Sequence, residues 1–408
     1  MNLKRSAPEK KQVASQQQIK EANLNLVFNL INKHEPVSRA ELAHITRLSP
    51  TTISSLTDQL LQGGMILETG AGTAATSGRK PIMLEINPGG GFVASVEFLE
   101  DAFRCFLYDL QYKAIGGGKY AVSDYSSIGG QIISRIDELL DSNSVDKDRL
   151  LGISVGIPAL IDYSTSKVIS STVVPIDPGN DFYNEIKKYY GIPVLVENES
   201  CLCAFAEKES DSSRDVRSLI FVDINVGIGA GIVLNGRIFT GSFGTAGEIG
   251  HMSIDMNGPK CKCGNRGCLE VMAGIPAILQ KTVFAIMSGR ETVIKSLVNN
   301  DYNRINMDVI VAALEAGDGL VSEIIDETAE RLAFGVNNII NLFSPEVVVI
   351  GGELTKLGEG FLDKLKNYVR PIGLLPGINK VKVTYSHLKE DAVTLGGAKC
   401  LLSSLFKA

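Results

Sequence analysis

The chain has 408 residues, 44% of them hydrophobic but only 6% aromatic, and a formal charge of −6. That length exceeds one ordinary core and implies two or three soluble globular domains. No apolar run approaches a bilayer span and the first eighteen residues lack a signal-peptide core, so a cytoplasmic protein that meets no membrane is expected.

Charge separates the two ends. Residues 1–86 carry a balance of +3 and the remainder −9, an acidic body whose mildly basic head is compatible with nucleic-acid contact at one end. Residues 1–19 read as a flexible basic arm. From Lys20, the spacing of Leu24, Val27, Phe28 and Ile31 marks one apolar helical face. Pro36 ends that helix, and Ser38 with Glu41 forms a capping box opening a second helix through Leu42, Ala43 and Ile45. Ser49 followed by Pro50 is an N-cap with proline at the first helical position. The third helix turns Ile53, Leu56 and Leu60 inward and leaves short polar side chains on its other faces. Strands over 65–67 and 81–86 then flank a small-residue loop.

Residues 20–87 therefore read as a winged helix-turn-helix. Base reading in the major groove falls to Thr51, Thr52, Ser54 and Ser55, and phosphate contacts to Arg39, Arg47, Arg79 and Lys80. The competing assignment is a small helical interaction module. Readers of this type bind two half-sites, so a homodimer, or a tetramer, on palindromic double-stranded operator DNA is expected.

The body alternates strands and helices. Strands are expected over 91–98, 104–110, 119–122, 150–156 and 194–197, with helices over 128–140 and 182–190. The last strand ends in Asn198 and Glu199, ahead of a helix over 201–207. Open α/β sheets place ligand contacts at the carboxyl ends of strands; alternatively, the two residues only cap the next helix. A second series begins with strands over 218–223 and 226–234. It contains NVGIGAGIV, whose glycines permit close approach to an anion but which lacks the lysine that steadies a nucleotide phosphate. Helices follow over 275–287, 292–297, 307–316, 320–341 and 361–369, with strands over 347–350 and 381–384 and a closing helix over 391–405. Two series imply two α/β lobes, 88–207 with 390–408 and 208–389, and a ligand between them.

Residues 247–270 read GEIGHMSIDMNGPKCKCGNRGCLE. His251, Cys261, Cys263 and Cys268 offer one imidazole and three thiols, which fill the tetrahedral shell of a structural Zn2+ and leave no position for a catalytic water. The other assignment is that these cysteines are ordinary small buried side chains. Seven cysteines in all, an odd number with metal-like spacing, fit a reducing compartment. With a metal in place, Glu248, Glu270 and the second nitrogen of His251 would share one space.

The winged head, NVGIGAGI, GTAGEIGH, CKCGNRGCLE and VVIGGEL together resemble the ROK family, in which sugar kinases and sugar-responsive repressors share a body. SRAEL, SPTTIS, VENE and HMSIDMNGPKCKCGNRGC are similar to its xylose-repressor group. The resemblance covers essentially the whole chain. It implies two actin-like α/β lobes, zinc on the four donors above, and a monosaccharide held in the cleft by Asn198, Glu199, Glu248, His251 and Glu270. It further implies a repressor of a sugar-utilisation operon, controlled by xylose or a glucose-like sugar acting as inducer or corepressor.

Family kinases carry an aspartate base where Glu199 stands and a glycine-rich first phosphate loop where this chain has Glu97-Phe98-Leu99-Glu100-Asp101. Bulky and acidic side chains oppose a triphosphate there, so no kinase activity is expected. Ala159 in place of a glycine, and VVPIDPG at 173–179, leave pentoses, glucose, other hexoses and N-acetyl derivatives open. Two rival readings are an ATP-dependent sugar kinase with a DNA-binding appendage and a regulator that senses only protein partners.

Overall fold

The structure is a computed structural model that describes residues 16–71, 81–171, 173–210, 212–213, 215–369, 380–388 and 390–407. In the head, helices α1 (Gln16–His34), α2 (Arg39–Thr46) and α3 (Pro50–Gln62) pack on strands β1 (Val37–Ser38), β2 (Ile66–Ala71) and β3 (Ile82–Ile86), ordered β1-β3-β2. The Ser38 N–H donates to the Glu41 carboxylate at 2.8 Å while the Glu41 N–H donates to Ser38 Oγ at 3.3 Å, closing the capping box. Ser49 Oγ caps α3 through the Thr52 N–H at 3.1 Å. Strand β1 is an addition to the sequence reading, since two residues carry no periodicity to detect. Arg79, Lys80 and most of the N-terminal arm lie outside the described residues.

The body has two five-stranded sheets. The first is ordered β10-β7-β4-β5-β6, from β4 (Phe92–Phe98), β5 (Ala102–Asp109), β6 (Ala114–Ala121), β7 (Leu150–Ile157) and β10 (Val194–Asn198). Helices α4 (Ile128–Ser142) and α5 (Phe182–Tyr190) accompany it, and β8 (Ala159–Asp162) with β9 (Lys167–Ser171) forms a separate hairpin. Strand β6 starts earlier than expected because Gly116, Gly117 and Gly118 hide its alternation; at Gly117 a Cβ would lie 2.4 Å from the Phe106 ring. Between the sheets run α6 (Glu199–Lys208) and the final helix of the chain.

The second sheet is ordered β13-β12-β11-β14-β15, from β11 (Leu219–Ile224), β12 (Ile228–Leu234), β13 (Arg237–Ile238), β14 (Val347–Gly351) and β15 (Lys382–Tyr385). Helices α7 (Leu269–Ala273), α8 (Ile275–Met287), α9 (Ile294–Leu297), α10 (Met307–Glu315), α11 (Gly319–Phe343) and α12 (Gly358–Val369) belong to this lobe, and α13 (Ala392–Leu405) closes the chain. One face of this sheet, with Ile220, Val222, Ile232, Val348 and Ile350, shares a core with these helices.

Helix α13 lies on β4 and β7, α6 lies on β11 and β12, and the two helices pack against each other. Leu202, Phe221, Val233, Val349 and Val393 form the core between the lobes. These contacts are backbone-close: a Cβ on Gly231 would lie 1.9 Å from the Ser200 carbonyl oxygen, and one on Gly396 2.1 Å from that of Leu202. At its far end α13 joins the head core, where Leu401 and Leu402 meet Val27, Phe28 and Ile31, and Phe406 stacks on Phe28 with ring centroids 4.0 Å apart.

Alanine at Gly231 or Gly396 forces the lobes apart and is expected to cost roughly 2–3 kcal/mol of stability. Gly179→Ala, at a position with no atom within 4 Å of the new Cβ, is the control. Urea unfolding curves that coincide for all three variants would contradict this account of the packing.

Candidate functional site

The functional candidates of both lobes are organised around β12. On one side, the N-terminus of α6 approaches it: a Cβ on Gly229 would sit 3.3 Å from Ser200 Oγ, beside Asn198 and Glu199. On another, the Gly247–Gly250 turn carrying Glu248 is laid against the strand, with a Cβ on Gly247 or Gly250 falling 2.1 or 2.2 Å from the carbonyl oxygens of Ala230 or Ile228. Glu270, in the first turn of α7, accepts from the Ile228 N–H at 3.3 Å and pairs with Lys262 at 3.6 Å. His251 Nε2 lies 3.9 Å from Glu248.

Asn198 caps the next helix, one of the two roles considered for it. Its Oδ1 accepts from the Ser200 N–H at 2.9 Å, capping α6, and its Nδ2 donates to the Ala159 carbonyl at 3.2 Å. One amide hydrogen and one lone pair are not used by these bonds. Neighbouring Glu197 is buried, receives the Tyr163 hydroxyl and accepts the Asn198 N–H at 2.8 Å. Tyr163 also covers the second lobe at Gly244, where a Cβ would lie 2.8 Å from its ring. The sequence reading missed this contact, although an acid interrupting the apolar run VLVE was its signal.

Carboxyls crowd the cleft. Burial, then Asp223 and Glu97, hold Glu199 well above the usual carboxyl range. Burial raises Asp223 to about 6 although Ser200 and Asn225 donate to it, the latter at 2.9 Å. Glu97 rises to about 7, burial outweighing Arg104 at 3.3 Å, and Glu197 also rises to about 7 through burial.

The four metal-type donors come together. Their ligand atoms lie within 4.8 Å of one another, with His251 Nδ1 3.7 Å from Cys261 Sγ and Cys263 Sγ 3.6 Å from Cys268 Sγ. A tetrahedral ion with metal–sulfur bonds of about 2.3 Å needs sulfur–sulfur edges of about 3.8 Å, so the cluster has the dimensions to hold one. The Cys261 N–H donates to the Asn265 carbonyl at 2.8 Å, and Gly267, at φ +58°, passes so close to the Asp255 carbonyl that a Cβ would lie 1.8 Å away. Backbone geometry thus preforms the clasp.

In the head, Thr51 and Ser55 are exposed, Thr52 and Ser54 partly so, and Arg47 is exposed at a left-handed C-cap. Arg39 is differently employed: it donates to Thr57 at 3.0 Å, Asp58 at 3.2 Å and Glu68 at 2.9 Å, bracing α2 against α3 and β2. Lys20, overlooked in the sequence, lines a groove of about 770 Å³ with Thr51, Ser54, Ser55 and Gln59.

These features define a class: two α/β lobes around an acidic cleft, a Cys3His clasp on one wall, and a winged head attached through the last helix. The ROK family model matches residues 99–403, and the chain belongs to the ROK family. It is 29% identical over 397 residues to the xylose repressor of Caldicellulosiruptor bescii, spanning 95% of this chain and 97% of that protein. It is 27% identical over 379 residues to the N-acetylglucosamine repressor of Shigella flexneri, spanning 92% and 91%. Among solved structures, a ROK family transcriptional regulator described as a homolog of the Escherichia coli MLC protein superposes with a TM-score of 0.84 at 28% identity, covering 95% of this chain and 97% of its own. The ROK hexokinase of Thermus thermophilus shares the fold of the body, with a TM-score of 0.64 at 22% identity over 76% of this chain.

The raised carboxyls carry a stability signature. Folded, they hold protons at pH values where the unfolded chain has released them, so their contribution is complete below about pH 4.5 and lost as pH rises towards 7. The melting temperature is expected to rise as pH falls from 8 to about 6. Glu199→Gln is expected to raise it at pH 8 and flatten the slope; an unchanged slope would show that the Glu199 carboxyl is not raised in the folded chain.

Proposed function

We propose that this protein is a DNA-binding repressor of a sugar-utilisation operon, controlled by a monosaccharide in the interlobe cleft. The observation that carries the reading is that the start of α6, with Asn198 and Glu199, and the segments bearing Glu248 and Glu270 are each laid against the same strand, β12. The relatives matched over nearly the whole chain, head included, are named repressors.

A sugar presents neighbouring hydroxyls, each donor and acceptor. Asn198, Glu248, His251 and Glu270 supply complementary groups, and Glu199, whose carboxyl is pushed well above the usual range by burial and acidic neighbours, offers both an O–H and a carbonyl when it holds its proton. Such a site rejects an analogue that lacks a bonded hydroxyl, because its own polar groups are left unpaired. The clasp ion in this reading is a structural Zn2+ held by Cys261, Cys263, Cys268 and His251 Nδ1, leaving His251 Nε2 facing Glu248. Two heads on one dimer would read the two halves of a palindromic operator, with Thr51, Thr52, Ser54 and Ser55 towards the bases and Arg47 and Lys20 towards the backbone.

Loss of catalysis belongs to the same reading. Where family kinases carry glycines, Phe98 is fully buried against Tyr125 and Phe182, and the Tyr125 hydroxyl donates to the Leu99 and Glu100 carbonyls. Glu97 is engaged by Arg104, and Glu100 and Asp101 add negative charge where a triphosphate would lie.

The test is fluorescence anisotropy of the protein on its own upstream DNA at fixed salt, titrated with pentoses, hexoses and N-acetyl hexosamines. One sugar is expected to change DNA affinity at least tenfold, and the same panel with MgATP to release no ADP. A flat response across the panel would favour a regulator sensing only protein partners, and ADP release abolished in Glu199→Gln would favour the kinase.

Zinc is checked separately. Purified protein is expected to contain one zinc per chain, and Cys263→Ser to lose it together with sugar-induced thermal stabilisation; metal-free protein with an intact sugar response would remove the clasp from the mechanism.

A further inference from the structure

Helix α3 turns one stripe outward. Thr51, Ser55, Asp58, Gln59 and Gln62 are exposed, each three or four residues on from another, while Ile53, Leu56, Thr57 and Leu60 are buried behind them. With Lys20 of α1, the stripe lines the open groove of about 770 Å³. Its chemistry is narrow. Ser49 Oγ lies 2.8 Å from the hydroxyls of both Thr51 and Thr52, so these already have a partner within the head. Asp58 faces Arg39 at 3.2 Å, and Arg39 is spent on Thr57, Asp58 and Glu68. The stripe therefore carries no arginine for the bidentate contact with guanine that is commonest in major-groove reading. What it does carry is two side-chain amides. No described residue bonds the amide of Gln59 or Gln62, and each amide sets N–H donors beside a carbonyl acceptor.

We infer that Gln59 is the residue by which the head selects its DNA sequence, through paired bonds to one adenine in each half-site. Its Nε2 donates to adenine N7 and its Oε1 accepts from the N6 amino group, a combination that guanine, with two acceptors on the same edge, cannot match. A serine or threonine hydroxyl bonds donors and acceptors alike, so Ser55 adds a contact without choosing a base. Position separates the two glutamines. Gln59 stands about 12 Å along the axis from Thr51, whereas Gln62 is the last residue of the helix, and helices of this kind meet the bases from their N-terminal side. The inference rests on the DNA-binding reading above and supplies what that reading leaves open, the side chain that tells one base pair from another.

The test uses the full chain and its own upstream DNA, with binding read by fluorescence anisotropy at fixed salt. Once the bound site is located, each base pair is replaced in turn, symmetrically in both half-sites. The wild-type chain is expected to lose about tenfold or more in affinity when one particular A·T pair becomes G·C. Gln59→Ala should bind more weakly and no longer distinguish the four base pairs at that position, while keeping the wild-type preferences elsewhere. Gln62→Ala should keep them all. Both residues are exposed, so the three proteins are expected to melt at the same temperature. Discrimination that survives in Gln59→Ala at every position, even with weaker binding, overturns the inference, as does its loss in Gln62→Ala instead. A wild-type chain that binds none of the DNA defeats the repressor reading itself, an outcome seen before any variant is made.

Discussion

The close approach of α6 to α13 and to β12 is the constraint on which the rest of the molecule depends. Side chains are absent at Gly231 and Gly396, so carbonyls of α6 lie against the backbone of a strand from one lobe and of a helix carried by the other. Protein interiors are close-packed and relax little. Neither sheet can therefore shift far without moving this helix pair. The same contact puts Asn198 and Glu199 at the mouth of the cleft, because they begin the helix that Gly229 and Gly231 admit.

The cleft is held against an electrostatic cost. Four carboxyls, Glu97, Glu197, Glu199 and Asp223, are raised together, an arrangement that a stable core would avoid. What keeps them there is rigid framing from both sides. In the first lobe, Arg104 holds Glu97 and reaches Asp391 at 2.9 Å, while Tyr163 holds Glu197. In the second, the clasp and the glycines at 247 and 250 press Glu248 towards β12. A polyhydroxyl ligand satisfies such groups without adding charge, which suits it better to this cleft than an anion.

The parts legible in sequence were those whose partners are close along the chain. Ser38 with Glu41 and Ser49 with Pro50 state the helix starts of the head, and the four clasp donors fall within eighteen residues. The acid cluster was hidden because Glu97, Glu199 and Asp223 arrive from three separate elements, and only folding reveals that they repel. Arg39 illustrates the same limit: its basic charge suggested a phosphate contact, but Asp58 and Glu68, 19 and 29 residues further on, occupy it. The β8–β9 hairpin was lost for a different reason, since its short strands flank polar turn residues and carry little periodicity.

The helix pair also supplies a route from cleft to head. At about 1.5 Å per residue, α6 spans about 15 Å and α13 about 21 Å. Both start at the cleft, α6 with Glu199 and α13 beside the Asp391–Arg104–Glu97 contact, and α13 ends against α1, where Phe406 stacks on Phe28. Glu207, in the last turn of α6, accepts from the Ser386 hydroxyl and from the His387 N–H at 3.2 Å, tying this helix to the segment that follows β15. Movement of the second sheet towards the first must therefore displace α6 at both its ends. A ligand gains control of the head only through unequal affinity for the two arrangements; in the function proposed above, bonds made to both walls of the cleft at once would provide that inequality, because they would exist in full only when the walls are close.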